Sequence, residues 1–345
     1  ILNLCNNYMN KILILLVLVL FFINFIQQTE NFVNKKDVKK IKTNNNELTK
    51  LLNKYNLFFQ YPARTEEICN IQNKHKSNYI GMPWATIIDK NMLPVMSKEF
   101  KKIKLYGEYI SSCQHISFKK IIPLCKILNI KTLYVSHKVI GKDYIDGIQL
   151  KPLPIYAVNI EEPERNDMFK NKDFINIKRD YLFSFIGAIF LKEYMSDIRK
   201  KIYLYKDNFK SNNIFEDTKK WHFHNHVYEE QVKNIKVNKK DDKTKTNNFN
   251  KILLRTRFSL CPSGSGPNSI RFWESLATGS IPVLLADTLE LPAHNLWNEA
   301  IVIIDEKNYK NIENILLSIS KENENKMRMN CLRIYKDFKN NFIRD

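Results

Sequence analysis

From Phe258 to Ala286 the chain runs Phe-Ser-Leu-Cys-Pro-Ser-Gly-Ser-Gly-Pro-Asn-Ser-Ile-Arg-Phe-Trp-Glu-Ser-Leu-Ala-Thr-Gly-Ser-Ile-Pro-Val-Leu-Leu-Ala. This order leaves few folds open. Ile252 to Leu260 is rich in apolar residues and stops at Cys261-Pro262, as a buried strand does. Gly264 and Gly266 sit where the backbone must turn and could approach a bound phosphate. Pro267, Asn268 and Ser269 supply helix-start chemistry. Ile270, Trp273 and Ala277 then share one helical face, while Arg271 and Glu274 lie three apart on another. Gly279 stops the helix, and Ile281 to Ala286 is the continuous apolar run of a parallel strand. The block is a βαβ unit that aims an Arg and a Glu at the carboxyl-end crevice of a sheet.

A bare G-x-G also closes many ordinary βα turns, so the whole block carries the functional reading. Leu260 to Glu274, followed by Ala277-Thr-Gly-Ser-Ile-Pro-Val283, resembles the carboxyl-terminal signature of the exostosin-like glycosyltransferases of family 47. Arg179-Asp-Tyr-Leu-Phe-Ser-Phe-Ile-Gly187 resembles the strand and turn that open the donor-binding domain of that family, and Arg199 matches a further basic position. The resemblance covers roughly Asp180 to Pro292. It is weaker upstream, at Gly81 to Asp89 and Gln114 to Phe118. It implies an α/β protein with two facing Rossmann-like domains, the GT-B arrangement.

Alternation of strand and helix patterns divides the chain consistently with that. Residues 57–157 read as a first, acceptor-side α/β domain, with strands at Ala85–Ile88, Leu105–Ile110 and Thr132–Ser136 and a helix at Phe118–Leu128. Residues 158–345 read as the donor-binding domain, entered through Lys151-Pro-Leu-Pro154. Its elements are a strand at Leu182–Ile186, a helix at Glu193–Tyr205, a last strand at Ala300–Ile304, and helices at Asn311–Ser320 and Glu324–Phe342. The last of these would pack back on the first domain. Residues 233–250, rich in Lys, Asn and Asp, read as a low-complexity surface insertion.

The amino-terminal side carries a membrane signal. Met9-Asn-Lys precedes an apolar run from Ile12 to Ile26, broken only by Asn24. Its fifteen residues fall short of the roughly 20 of a comfortable span, but no small-x-small cleavage site follows. Residues 9–28 therefore read as a signal anchor or signal peptide, an uncleaved anchor being favoured, and 29–56 as a solvated stem. Lys11 on the short side orients a type II protein, placing the catalytic part in the lumen of the endoplasmic reticulum or Golgi.

Of 55 basic residues, 10 are Arg and 45 are Lys, and the formal charge is +19. The lysines are scattered and Asn and Ile are abundant, as in AT-rich coding. No aromatic-and-basic module accompanies the charge, so it does not argue for nucleic acid. A basic surface would suit an anionic donor or an acidic glycan.

A nucleotide-sugar donor leaves as a diphosphate, so negative charge must be stabilised where it leaves. Ser263, Gly264, Ser265, Gly266, Asn268 and Ser269, with the helix start behind them and Arg271, could do so through amides and a guanidinium, without a metal. The resemblance adds Gly187 and Arg199 to this donor site and implies that Glu274 accepts hydrogen bonds from donor hydroxyls. Arg255 is a further donor-site candidate, although it and Arg257 alternate along a strand end and suit a structural role equally. An inverting transfer also needs a general base from the first domain, for which Asp89, His115 and His137 are candidates.

Trp221-His-Phe-His-Asn-His226 would place three His on one face of a strand. No carboxylate spacing accompanies them, and we assign no metal there. Cys69, Cys113 and Cys125 could include one disulfide in an oxidising lumen; Cys261 reads as a small buried hydrophobe. The resulting expectation is an inverting glycosyltransferase that needs a nucleotide sugar and a glycan or glycoprotein acceptor. It requires no cofactor, with divalent-cation stimulation and homo- or hetero-oligomerisation left open. The alternatives are another GT-B transferase, fucosyltransferase-like or retaining, or an inactive nucleotide- or glycan-binding partner protein.

Overall fold

The computed structural model describes residues 46–221, 223–236 and 239–344. The expected anchor at 9–28 lies outside them. Among the described residues no helix is long and apolar enough to cross a membrane.

Two sheets form the frame. In the first, β1 (Tyr109–Cys113), β2 (Ile130–Val135) and β4 (Ile148–Pro152) run parallel, and β3 (Tyr144–Ile145) closes an antiparallel edge in the order β1-β2-β4-β3. The second is wholly parallel, with β5 (Tyr181–Gly187), β6 (Asn213–Asp217), β7 (Thr256–Pro262), β8 (Ile281–Leu285) and β9 (Val302–Ile303) in the order β6-β5-β7-β8-β9. Counted from β5 this is 2-1-3-4-5, a doubly wound order whose switch point lies between the carboxyl ends of β5 and β7. The chain is thus mixed α/β with two largely parallel sheets, consistent with a GT-B-like glycosyltransferase.

The signature block folds as its residues dictate. β7 and β8 are almost wholly buried, as strands covered on both faces must be. Ser269 caps the helix Ile270–Thr278 by accepting from the Phe272 amide, and Gly279 ends it at φ 63°, a left-handed position where a β-carbon would also strike Arg328. Trp273, Leu276 and Ala277 bury against the sheet in one core with Phe183, Phe258, Val283 and Phe338. The long helix Lys321–Asn340 packs on this helix, and the chain after it returns to the first domain. There the Phe342 amide donates to Gln72 at 3.0 Å, and Phe342 and Ile343 join a third cluster with Cys69, Tyr79, Tyr134, Leu153 and Tyr156.

Several local expectations change. Ala85–Ile88 is not a strand but lies in a helix, Trp84–Asp89; its residues are buried on every side, which erases the periodicity that would tell helix from strand. The strand expected at Leu105–Ile110 begins only at Tyr109. The low-complexity stretch carries a helix, Lys239–Leu254. Among the described residues Thr246 and Asn250 are its buried ones within that stretch, so hydropathy does not mark it. Leu253 and Leu254, expected in a strand, end the helix in an apolar cluster with Phe169. Thr246 and Asn250 bind Arg165, through its guanidinium and its carbonyl respectively. Residues 46–54 are helical, and Leu48 and Leu51 enter the first core, so this part of the expected stem is packed. Cys69, Cys113 and Cys125 are buried free thiols.

Candidate functional site

The candidate residues lie at the switch point of the second sheet and on the segments that follow β1 and β2 of the first sheet. Arg199, on the helix Ile198–Tyr205, straddles the carboxyl ends of β5 and β7. Its Nε donates to the Ser263 carbonyl at 2.8 Å, and Nη1 to the Ala188 carbonyl at 3.1 Å and the Tyr194 hydroxyl at 3.0 Å. Arg271, in the first turn of the signature helix, donates to the Ile186 carbonyl, and its guanidinium lies 4.4 Å from the Phe185 ring centroid. Arg199 stacks on Tyr194 at 4.6 Å. Among the described residues neither guanidinium is ion-paired with a carboxylate, and the Nε of Arg271 has no hydrogen-bond partner. Burial, and then each other's charge, pushes the Arg271 guanidinium down to about 10. Two cations held together in this way are poised for an anion.

The glycines do something the sequence did not reveal. A β-carbon on Gly187 would come within 2.7 Å of Arg271 Nη2, and one on Gly264 within 2.6 Å of Arg199 Nη2. One on Gly266 would collide with His137. None of the three has a positive φ, so their role here is to leave room for two arginines and a histidine.

His137 comes from the first domain, two residues past β2, and is held at both shoulders. Asn268 Nδ2 donates to the Ser136 carbonyl at 2.8 Å, while Asn268 Oδ1 accepts from the Ser269 amide and the Trp273 indole. On the other side Glu290 N donates to the Lys138 carbonyl at 3.1 Å, and the fully buried Lys138 ammonium bonds Glu290 at 2.6 Å and Asp143 at 2.8 Å. These contacts tie the post-β2 segment to the post-β8 loop. Burial, then the neighbouring His115, lowers the His137 imidazole to about 3, and its Nδ1 has no hydrogen-bond partner.

Asp89, at the end of the helix Trp84–Asp89, meets His115, two residues past β1. Ser117 N donates to His115 Nδ1 at 2.9 Å, which leaves the proton on Nε2, and Nε2 faces Asp89 Oδ1 at 3.1 Å. Gln60 Nε2 donates to the other oxygen, Asp89 Oδ2, at 2.5 Å. His115 therefore has no vacant lone pair, whereas each Asp89 oxygen keeps one.

The remaining candidates disperse. Glu274 does not pair with Arg271: it is 2 % exposed, its Oε1 accepts from the Asn159 amide at 2.9 Å, and burial raises its carboxyl to about 7. It thus caps the short helix Val158–Glu161 at the crossing between domains. Arg255 sits at the amino end of β7, opposite the site, and binds Asp180 at 2.8 Å. Ser263 is buried and bonds Glu306 and Ser196, Ser269 is spent as the helix cap, and Ser265 is exposed. His224 and His226 begin a helical segment rather than a strand; they bond Glu229 and Glu230, and His226 Nε2 also lies 2.9 Å from Asp242. His222 lies outside the described residues. Among those described, no three His, Cys, Asp or Glu side chains converge as a metal group. The sequence reading missed Phe185, Tyr194, Gln60 and Lys138. Only the aromatic beside Arg199 left a sequence signal.

The family model for the Exostosin GT47 domain matches residues 112–319. The chain is 26 % identical over 194 residues to the Exostosin-1 homolog of Caenorhabditis elegans, covering 52 % of this chain and 45 % of that protein. It is 39 % identical over 72 residues to the probable beta-1,4-xylosyltransferase IRX10L of Arabidopsis thaliana, 20 % of this chain and 17 % of that one. A probable glucuronosyltransferase of Oryza sativa subsp. japonica is 39 % identical over 69 residues, 19 % of this chain and 16 % of its own. The matched part thus spans less than half the length of these relatives. With more than half of its length under the family model, from β1 through the whole parallel sheet, this chain belongs to the exostosin GT47 family.

Proposed function

We propose that the chain is an inverting glycosyltransferase that moves a sugar from a nucleotide-sugar donor to a glycan or glycoprotein acceptor. The observation that carries this is the pair Arg199 and Arg271, two guanidiniums without a carboxylate at the switch point of a parallel sheet. A diphosphate seated there would meet both guanidiniums and the amides of the 263–269 loop. Asp89 is the base: it takes the proton of the acceptor hydroxyl, whose oxygen attacks the anomeric carbon from the face opposite the diphosphate. As the carbon–oxygen bond to the diphosphate breaks, Arg199 and Arg271 stabilise the charge left on it. His115 and Gln60 orient the carboxylate, Gly187 and Gly264 make space for the two guanidiniums, and Gly266 makes space for the neutral His137. The relatives' names speak of xylosyl and glucuronosyl transfer, so they do not single out one donor sugar for this chain.

The reading includes residues 9–28 as a type II anchor in the endoplasmic reticulum or Golgi membrane, with the catalytic part in the lumen; the apolar run Ile12–Ile26 supports it. Transfer from a panel of nucleotide sugars, with the product's anomeric configuration followed by NMR, tests the function. Inverted product from the wild type and none from folded Asp89→Asn is expected. Retained configuration would overturn the mechanism, and nucleotide-sugar binding without transfer to any acceptor would favour the inactive binding partner.

A further inference from the structure

We propose that Glu66 is a positioning residue that sets the Asp89–His115 pair, an inference resting on the reading of Asp89 as the base. Glu66 lies on the helix Thr65–Asn73 and is 2 % exposed. A carboxyl so buried and without a cation is costly unless its hydrogen bonds serve a purpose. Besides the Cys113 thiol, its partners are the two backbone segments that carry the pair. Both oxygens lie 3.2 Å from the Ala85 amide, in the first turn of the helix that ends at Asp89. Oε1 also accepts from the amide of Gln114, the neighbour of His115, at 3.0 Å. The chain of bonds then closes on itself. The Glu66 amide donates to Gln114 Oε1 at 3.1 Å, Gln114 Nε2 reaches Gln60 Oε1 at 3.3 Å, and Gln60 donates to Asp89. One side chain thus fixes the helix behind Asp89, the turn bearing His115, and, through Gln114, the amide that holds the second Asp89 oxygen. An apolar residue could fill the same volume but could not tie these segments together.

The test needs a readout independent of turnover, because the pair's role in transfer is itself proposed. Imidazole 15N spectra of the full chain, with the His115 signal assigned by its loss in His115→Asn, report the tautomer directly. Wild type should show His115 as the Nε2–H form alone. Glu66→Gln keeps a carbonyl oxygen for both amides and should preserve that tautomer. Glu66→Ala frees the Gln114 amide and should give a mixture, with turnover about 100-fold lower and KM little changed where a donor has been found. An unaltered tautomer in Glu66→Ala, or a mixture in Glu66→Gln, overturns the proposal. Should Glu66→Ala not fold by near-ultraviolet circular dichroism, Glu66→Asp decides. Its shorter carboxylate can hold only one of the two amides, so a mixed tautomer supports positioning and a wild-type tautomer refutes it. If transfer is never found but the tautomer responds as stated, Glu66 still sets the pair, and it is the pair's catalytic role that fails.

Discussion

The imidazole of His137 occupies the space that a side chain on Gly266 would need. One residue comes from the segment after β2 and the other from the loop that opens the signature helix, so the glycine is a condition for these two segments to pack together. Gly266→Ala should destabilise the fold by about 1–3 kcal/mol through overpacking. His137→Ala should relieve most of that, so the double mutant will be much less destabilised than the sum of the single ones. Urea unfolding of the four proteins measures it; strict additivity would show that the two residues do not contend for one space.

Arg271 and Arg199 repel each other in a partly buried site that neither needs for packing alone. Replacing Arg271 by Met removes a desolvated charge while keeping the apolar contact with Phe185. The ligand-free Arg271→Met protein should therefore melt at or above the wild-type temperature. A loss of more than about 1 kcal/mol would mean that the hydrogen bond to Ile186 is structural and outweighs the repulsion.

Glu274 makes stability depend on pH. Its carboxyl is raised by burial from 4.5 to about 7, so the folded state favours the protonated acid. That contribution is fully present below pH 4.5 and is lost as pH rises through about 7. The wild type should lose up to about 3 kcal/mol more than Glu274→Gln across this window. Denaturant titrations at pH 5 and pH 8 compare the two, and parallel curves would show that the carboxyl is not destabilised when charged. Glu66, raised by burial to about 8, adds to the slope in the same sense in both proteins and cancels from the comparison.

On the proposed mechanism, the arginine pair and the loop amides neutralise the leaving diphosphate without a metal. A chelator should thus lower transfer only modestly, and Asn at His222, His224 and His226 together should be tolerated. Complete loss restored by a divalent cation, and reproduced by the triple substitution, would place a metal in the mechanism.

Much of the second domain could be read from its residues because local and global signals agree there. Apolar runs gave β5 and β8, and Ser269 and Gly279 bounded the helix before β8; β7 starts at Thr256 rather than Ile252, because Ile252–Leu254 end a helix. The first domain was harder. Thr86-Ile-Ile88 has strand-like residues, yet the Glu66 carboxylate holds the amide of Ala85 and the segment is helical, a tertiary effect that no window of sequence contains. Asp146-Gly147 is a local signal for the β3–β4 hairpin, since both residues take positive φ. Within the site, Arg271 could be placed from its spacing in the βαβ block, whereas Arg199 entered only through the family resemblance. The partner of Glu274, the amide of Asn159, lies 115 residues away in the chain and could not be seen without the fold.

The central claim is that Arg199 and Arg271 hold the diphosphate of a nucleotide-sugar donor between β5 and β7. It is tested most directly by calorimetric titration of uridine, guanosine and adenosine diphosphates into the wild type and into Arg199→Met/Arg271→Met. Loss of a charge-assisted contact to phosphate costs about 1.5–3 kcal/mol, so removing both should weaken binding of the preferred diphosphate at least 100-fold in a protein that still melts cooperatively. Undiminished affinity in the folded double mutant, or no binding of any of the three by the wild type, would contradict it.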